Sequence, residues 1–283
     1  MAVIDFRFRP PTPEFKVSFK GMDALSGPST GGRIPPWSAV LDSWWNSNLE
    51  ACVKEMEEAD IIGVVSGRGY PPAIATSNDH IKGIVDQYPQ RLVPIAGIDP
   101  AKLRACQQEI DRVAKLRFKG VHFDPGFIVP HMLPNDGRLY PIYAQCMDLG
   151  LIVVLQIGPR AGYDLAEFSP IYIDKLAKDF PKLKIVIAHA CWPYIEEMVG
   201  VIWKRPNVWL SPDNYQLRPL GEQYVKIVNH DSPVQDRYLY GSAYPYGRGM
   251  KEQLNEWRKL PWKDYIVEKL LYGNAAQLLG IEN

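Results

Sequence analysis

The stretch "IDFRFR" near the start of the chain alternates charged with apolar residues, which predicts a strand with one polar and one apolar face. Arg7 and Arg9 then share a face. A guanidinium group stays protonated and matches a carboxylate with two parallel hydrogen bonds, so the pair predicts a clamp for an anionic group. The structural alternative is that each arginine pairs with a carboxylate of the chain, such as Asp5, Asp124 or Asp213.

Histidines and aspartates that could move protons also occur at the ends of apolar runs. His189 ends "IVIAH", and the ordinary pKa of imidazole suits proton transfer near neutrality; a buried structural histidine is the alternative. His122 and Asp124 share a face of "GVHFD", where they could orient a proton carrier or pair with the arginines. Asp213 in "WLSPDNY" is a candidate base, although Pro-Asp-Asn is also typical of a turn. Arg68 in "SGRGYPP" could add a third positive charge.

Eight strand-like runs alternate with helical segments along the whole chain. The runs are residues 2–8, 60–65, 91–98, 118–123, 151–157, 184–189, 207–211 and 237–242. Several are continuously apolar, as expected of parallel strands buried on both faces. The alternation predicts an α/β fold, a single (β/α)8 TIM barrel over residues 1–283. Catalytic residues of such barrels lie where the strands end, which is where the side chains above are placed.

Residues 10–36 form a long segment rich in proline and glycine directly after the first strand. Long loops in compact domains are usually functional, and loops after barrel strands build the catalytic face. We therefore expect a lid over the barrel mouth, with Lys16, Lys20 and Arg33 as contacts. A surface insertion without a role is the alternative.

The bulk composition excludes several classes of partner. The chain has 32 Lys and Arg residues and 32 Asp and Glu residues. It therefore lacks the excess of basic residues that is typical of nucleic-acid-binding proteins. The four cysteines are scattered, which favours a reduced protein without disulfides. No signal peptide or membrane-spanning apolar run is present, so we expect a soluble cytoplasmic protein with no membrane partner. The sequence leaves the oligomeric state open, a homo-oligomer included.

Six strings in order along this pattern resemble a known family. They are "VIDFRFRP", "YPQRLVPIAGIDP", "FKGVHFDP", "LKIVIAHACWPY", "YGSAYP" and "YGNAAQLLGI". Together they are similar to the amidohydrolase-related family, the barrel branch that also contains decarboxylases and lactonases acting on carboxylated rings. The resemblance covers nearly the whole chain, and it implies the TIM-barrel fold.

The chain departs from this family at the metal ligands. The family's first strand normally ends in His-x-His, and here those positions hold Arg7 and Arg9. The fifth-strand histidine is Gln156, the eighth-strand aspartate is Ala243, and only the sixth-strand histidine is kept, as His189. Arginine has no lone pair to give a metal, and one imidazole with one amide is too few ligands for catalytic zinc. We therefore expect no catalytic metal and no other cofactor.

The resemblance and these departures together predict a metal-independent hydrolase for a small anionic, carboxylated substrate with a ring or a lactone. Arg7 and Arg9 would hold the carboxylate and could stabilise an oxyanion. His189, with Asp124 or Asp213, would move protons.

Further substrate contacts are expected from His122, Gln156, Arg68 and Tyr244, which all follow or end strands. A decarboxylase or hydratase on the same scaffold is an alternative, because a fold does not dictate its chemistry. A binding or scaffold protein that has lost catalysis is another. The least favoured alternative is a metal ion held by His122, Asp124 and His189, because the nearby arginines would repel a cation.

Overall fold

A computed structural model describes residues 1–18, 42–159, 164–245 and 249–281. Among these residues, seven parallel strands pair in chain order, with Gly97 opposite His122 and Gln156 opposite Ala188. The strands are β1 (Val3–Phe8), β2 (Ile61–Ser66), β3 (Leu92–Gly97), β4 (Gly120–Phe123), β5 (Ile152–Gln156), β6 (Ile185–Ala188) and β7 (Val208–Ser211). Parallel pairing requires a crossover between successive strands, and helices supply it.

The helices lie between and after the strands. They are α1 (Asp42–Trp45), α2 (Leu49–Ala59), α3 (Asn78–Gln87), α4 (Leu103–Lys115), α5 (Tyr140–Asp148), α6 (Pro170–Asp179), α7 (Ile195–Lys204), α8 (Glu222–His230), α9 (Ser232–Gln235), α10 (Met250–Arg258), α11 (Asp264–Glu268) and α12 (Asn274–Leu279). Helix α4 shows why they pack on the sheet, because its buried Cys106, Ile110 and Val113 recur at helical spacing. No helix in the described part of the chain is long and apolar enough to cross a membrane.

The predicted eighth strand, residues 237–242, closes the barrel but is not a regular strand. One isolated bridge joins it to β7, and the N–H of Phe6 donates to the carbonyl of Tyr240 at 2.9 Å. Beyond that bond a side chain replaces the backbone ladder, because the N–H of Ser242 donates to Oδ1 of Asp5 at 2.8 Å. The TIM-barrel fold is confirmed, whereas the prediction of a full eighth strand is wrong, because residues 237–242 form one isolated bridge and a few backbone bonds in place of a ladder.

The barrel interior has an apolar lower layer and a polar upper layer. The lower layer includes Ile4, Phe6, Val64, Val93, Ile95, Ile152, Val154, Val186, Ala188 and Leu239. Side chains of a strand alternate between its two faces, so Ser66 and Gln156 face the interior two residues after Val64 and Val154. His122 in β4 and Ser211 in β7 lie at the same level. The polar layer therefore faces the end of the barrel at which TIM-barrel enzymes place their active sites.

The end of β1 departs from strict alternation. Phe6 belongs to the barrel interior, whereas Phe8 packs in the core between strands and helices. The pairing of β1 with β2 shifts register between Asp5 and Phe8. Such an irregularity bends a strand and re-aims its side chains, and here it brings Arg7 into the barrel mouth.

The described part of the predicted lid lies beside the segment that follows β2. Residues 13–18 are helical, and Oγ of Ser18 donates to the carbonyl of Ile74 at 2.6 Å. The ammonium group of Lys16 donates to a backbone carbonyl of α1 at 2.6 Å. Lys20 and Arg33 lie outside the described residues, so the lid stays a prediction. The four cysteines are buried and free.

Candidate active site

Two buried arginines meet on one amide oxygen in the polar layer. Arg7 lies in β1 and Arg68 follows β2. Nη2 of Arg7 donates to Oε1 of Gln156 at 2.8 Å, and Nη2 of Arg68 donates to the same oxygen at 2.7 Å. The two cationic groups therefore lie side by side. Burying two like charges requires negative partners nearby.

Each arginine has its own buried carboxylate. Nε of Arg7 donates to Oδ2 of Asp213 at 3.0 Å, and Nε of Arg68 donates to Oδ2 of Asp124 at 2.9 Å. None of these four side chains is more than 5% exposed. The structural pairing considered from the sequence thus exists for Arg7 through Asp213, while Asp124 pairs with Arg68.

A histidine extends each ion pair. Nε2 of His189 lies 3.4 Å from Oδ2 of Asp213, and Nε2 of His122 lies 3.9 Å from Oδ1 of Asp124. We call the resulting chain of seven side chains the mouth network. Its members, in order, are His122, Asp124, Arg68, Gln156, Arg7, Asp213 and His189. The structure therefore brings together seven of the predicted catalytic and substrate-binding side chains, while those of Arg9 and Tyr244 lie outside the mouth network.

The protonation of His122 follows from its surroundings. Its Nδ1 lies 2.7 Å from the carbonyl oxygen of Gly67, which can only accept, so Nδ1 carries the ring hydrogen. Burial lowers the pKa of His122 to about 3, against the opposing charge of Asp124. The imidazole is therefore neutral near pH 7, and its Nε2 carries a lone pair.

Asp213 is held from several sides. Oγ of Ser211 donates to its Oδ1 at 2.6 Å, opposite the oxygen that Arg7 contacts. Burial raises the pKa of Asp213 above its ordinary value, while the charge of Arg7 and the bond from Ser211 oppose that shift. A buried carboxylate with a shifted pKa beside an imidazole is typical of a site that transfers protons.

Two glycines leave the room that these side chains need. A Cβ at Gly241 would lie 2.8 Å from Oδ1 of Asp213 and 2.8 Å from Oγ of Ser211. A Cβ at Gly158 would lie 3.0 Å from Cβ of His189. A larger residue at either position would displace the mouth network.

An aromatic flank beside His189 was missed in the sequence analysis. The ring centroids of His189 and Tyr215 lie 5.0 Å apart, and Trp192 stacks on Tyr215 at 5.1 Å. Cζ of Arg218 lies 5.2 Å from the centroid of the Tyr215 ring. Both aromatic residues follow candidate residues closely in the sequence, and that proximity was the available signal. Tyr215 is buried, so these contacts pack the Tyr215 ring against the imidazole of His189.

Asp5 has a structural role that its position in the sequence did not reveal. It accepts the backbone N–H of Arg7 at 3.0 Å, and both the backbone N–H and the hydroxyl of Ser242. Burial raises the pKa of Asp5, and these three bonds oppose the shift. Asp5 therefore fastens β1 to the closing segment of the barrel and does not pair with a guanidinium group of the mouth network.

Arg9 and Tyr244 meet through the backbone. Nη1 of Arg9 donates to the carbonyl of Tyr244 at 3.2 Å. The Tyr244 ring stacks on Phe8 at 5.6 Å and meets the edge of Trp44 at 5.8 Å. The ring thus packs in the core between strands and helices, and only the carbonyl of Tyr244 reaches an arginine of the predicted clamp.

The mouth network does not fit a divalent metal. Where the resemblance would place the two first-strand imidazole ligands, Arg7 donates an N–H to Gln156 and Arg9 donates an N–H to the carbonyl of Tyr244. The fifth-strand ligand position holds the amide of Gln156 itself. Within the described ranges, no group of three or more His, Cys, Asp or Glu side chains is arranged to hold a metal ion. We therefore derive no chemical step through a metal.

Comparison with known proteins gives matches over most of the chain. The family model described as amidohydrolase matches residues 61–281. An uncharacterised TIM-barrel protein from Bordetella bronchiseptica is 30% identical, with a TM-score of 0.84 over 99% of both chains. A search of the curated proteins found no match.

Two more distant structures share the barrel fold. A 4-oxalomesaconate hydratase from Rhodopseudomonas palustris is 18% identical, with a TM-score of 0.66 over 98% of this chain and 95% of the hydratase. A 2,6-dihydroxybenzoate decarboxylase from Rhizobium is 14% identical, with a TM-score of 0.69 over 100% of both chains. Enzymes of different reaction types therefore use this fold.

Proposed function

Because this chain belongs to the amidohydrolase family, we propose that it is an enzyme that hydrolyses a small carboxylated substrate, with a ring or a lactone, without a metal ion. One observation carries the proposal. Two buried guanidinium groups lie side by side on Gln156, and one of them also holds the aspartate that adjoins His189. An anion site thus lies next to a proton-transfer pair.

The carboxylate of the substrate would bind Arg7 and Arg68. Each guanidinium group has five N–H donors, and the bonds within the mouth network use Nε and one hydrogen of Nη2. The remaining donors suit a carboxylate, which planar guanidinium groups bind with two bonds each. This pairing revises the clamp expected from the sequence, in which Arg9 was the partner of Arg7. Arg9 remains a proposed contact at the edge of the site.

Proton transfer would use His189 and Asp213. A water molecule attacks the carbonyl carbon and loses a proton to a carboxylate of the mouth network, and the arginines stabilise the negative charge that develops on the carbonyl oxygen. The imidazolium form of His189 protonates the leaving oxygen or nitrogen as its bond to carbon breaks. Asp213, whose Oδ2 lies 3.4 Å from Nε2 of His189, stabilises that imidazolium.

The other members of the mouth network would support this chemistry. Gln156 fixes the spacing of the arginines, and Asp124 balances the charge of Arg68. Tyr244 would act through its carbonyl on Arg9. The expected partner is thus a small organic anion.

Acid release from a panel of carboxylated lactones tests the proposal. γ-Butyrolactone, which has no carboxylate, serves as the comparison compound. We expect hydrolysis of carboxylated members that persists after treatment with a chelator. Arg7→Met should weaken binding of the carboxylated members tenfold to a thousandfold, since each charged hydrogen bond contributes about 1.5–3 kcal/mol. Arg205→Met is the matched control. Nε of Arg205 lies 2.8 Å from Oδ1 of Asp174, and neither residue belongs to the mouth network.

Three results would contradict the proposal. Loss of activity on chelation, with about one metal ion per chain, would mean that a metal is required. Release of carbon dioxide in place of acid would identify a decarboxylase. A large fall in Tm of Arg7→Met with unchanged ligand affinity would mean that the arginines only stabilise the barrel.

A further inference from the structure

Two buried acceptor atoms face each other at the end of β4. Nε2 of His122 and Oδ1 of Asp124 lie 3.9 Å apart, and the two residues are 0% and 2% exposed. Neither atom has a hydrogen-bond partner within the described part of the chain. Buried polar groups in native proteins are nearly always hydrogen-bonded, so this pair points to a bound group.

Neither atom can satisfy the other. Nδ1 of His122 carries the ring hydrogen for Gly67, so Nε2 offers only a lone pair. Oδ2 of Asp124 accepts from Arg68, and Oδ1 likewise offers lone pairs. Two acceptors therefore face each other, and the bound group must donate two hydrogens.

The spacing fits one water molecule. A single oxygen about 2.8 Å from both atoms would have its two bond directions about 90° apart, close to the angle between the hydrogens of water. An alcohol has only one hydrogen to give. An ammonium group would add a cation beside Arg68, which lies 2.9 Å from the same carboxylate.

We propose that His122 and Asp124 hold one water molecule by both of its hydrogens and that this water is the nucleophile. The proposal rests on the hydrolysis proposed above. Because both hydrogens point at the acceptors, the oxygen lone pairs point away from them and remain available to attack a carbonyl carbon. As the new carbon–oxygen bond forms, one hydrogen passes as a proton to Oδ1 of Asp124. His122 keeps the other hydrogen bond, and His189 protonates the leaving group.

This arrangement divides the work of the mouth network. Asp124 is the base for the water, and His122 is a positioning residue that orients it. The His189 end supplies the acid. The two arginines between the ends hold the substrate carboxylate, so the water and the acid would reach the substrate from opposite sides.

A crystal structure of the protein without substrate tests the water directly. We expect one oxygen within about 2.6–3.2 Å of both Nε2 of His122 and Oδ1 of Asp124. NMR of the imidazole nitrogens should find His122 neutral, with its hydrogen on Nδ1, at pH 6–8. A direct bond between the two side chains, no oxygen in that position, or a doubly protonated His122 would overturn the proposal.

Kinetics on a carboxylated lactone test the role of this water. His122→Phe should lower kcat by about a hundredfold or more and leave KM within about threefold, because the water that Asp124 deprotonates loses its orientation, and general-base catalysis is typically worth 10²–10⁴-fold. His122→Gln, which can present an amide oxygen at the same place, should recover part of kcat. His230→Phe is the matched control on an exposed histidine of α8. An unchanged kcat in His122→Phe would overturn the proposal.

The two proposals fail differently. The crystallographic and NMR measurements need no substrate. A protein that holds the water and hydrolyses none of the lactones contradicts the proposed function and with it the nucleophilic role. A protein that hydrolyses them without this water contradicts only the present inference.

Discussion

The two ends of the mouth network contain the same groups in the same order but satisfy their carboxylates differently. At the His189 end, Asp213 accepts from Arg7 through one oxygen and from Ser211 through the other. At the His122 end, Asp124 accepts from Arg68 through one oxygen, and the other has no partner in the described part of the chain. Both carboxylate oxygens of Asp213 are thus hydrogen-bonded within the protein, whereas Oδ1 of Asp124 can accept from a bound molecule.

The backbone beneath the two ends differs as well. His122 lies in the regular strand β4. His189, Ala190, Cys191 and Asp213 all have positive φ, between 46° and 66°. Non-glycine residues rarely adopt this conformation, and strain of this kind collects at functional sites where surrounding contacts enforce it. The His189 end therefore lies on the short 3-10 helices His189–Cys191 and Asp213–Leu217, which contain residues with positive φ, whereas His122 lies on a regular strand.

Removal of the two arginines should give the largest difference between the ends. Breaking a buried ion pair by removing one partner costs about 3–5 kcal/mol of unfolding free energy. The loss for Arg68→Met should lie at the upper end of that range, because Asp124 loses its hydrogen bond from Nε of Arg68. Arg7→Met should cost less, because Asp213 keeps the hydroxyl of Ser211. Urea unfolding of both variants measures the order, and a larger loss for Arg7→Met would contradict the comparison.

Glycine substitutions beside the two ends should have a smaller effect. A Cβ at Gly97 would lie 2.3 Å from the backbone of Arg68, whereas a Cβ at Gly158 would meet the side chain of His189 at 3.0 Å. Overpacking costs about 1–3 kcal/mol, and backbone yields less easily than a side chain. Thermal unfolding should therefore show a greater loss for Gly97→Ala than for Gly158→Ala.

Gly83→Ala is the control for these substitutions. It lies in α3 with no atom within 4 Å of its added Cβ. It should gain about 0.5–1 kcal/mol from helix propensity. Equal losses for Gly97→Ala and Gly158→Ala would mean that the barrel absorbs both changes alike.

The change in unfolding free energy per pH unit at acid pH should be the smallest effect, and it should depend on the His122 end alone. The pKa of His122 is about 3 in the folded protein, below the ordinary 6.5, so below about pH 6.5 the unfolded chain binds a proton that the folded chain does not. This contribution to stability is present above that pH and is lost as pH falls towards 3. The slope is at most about 1.4 kcal/mol per pH unit.

His122→Gln lacks this titration and should lose less stability between pH 6.5 and 4. The raised pKa of Asp213 acts in the opposite direction, because its contribution is present at low pH and is lost as pH rises through the raised value. That contribution is common to both proteins and cancels in the difference. Unfolding free energies measured at several pH values check this, and parallel curves would mean that His122 is protonated in the folded protein.

Much of the fold could be predicted from the sequence because it is written locally. Each buried strand is a short apolar run, and the polar residue that ends it, such as Gln156 or His189, lies where a barrel mouth must be. The six family strings, in order along that pattern, indicate the same fold. What failed depends on contacts between distant residues. At the end of the predicted eighth strand, the N–H of Ser242 donates to the side chain of Asp5, 237 positions away, and not to a neighbouring strand.

The partners of the arginines could not be read from the sequence for the same reason. Arg7 and Arg9 are two residues apart, and alternation alone places them together. The register shift in β1 turns Arg7 towards Gln156, where it meets Arg68. Local pattern therefore predicted which residues are polar at the barrel mouth, and the three-dimensional pairing decided which of them act together.

The shared oxygen of Gln156 also insulates the two ends of the site from each other. A carbonyl oxygen that accepts from two arginines has no hydrogen to pass on, and a guanidinium group has no lone pair with which to take up another proton. A proton gained at Asp124 therefore cannot travel along these contacts to His189. In the proposed mechanism, the base Asp124 and the acid His189 can therefore both stay charged between turnovers, because the contacts between them do not relay a proton.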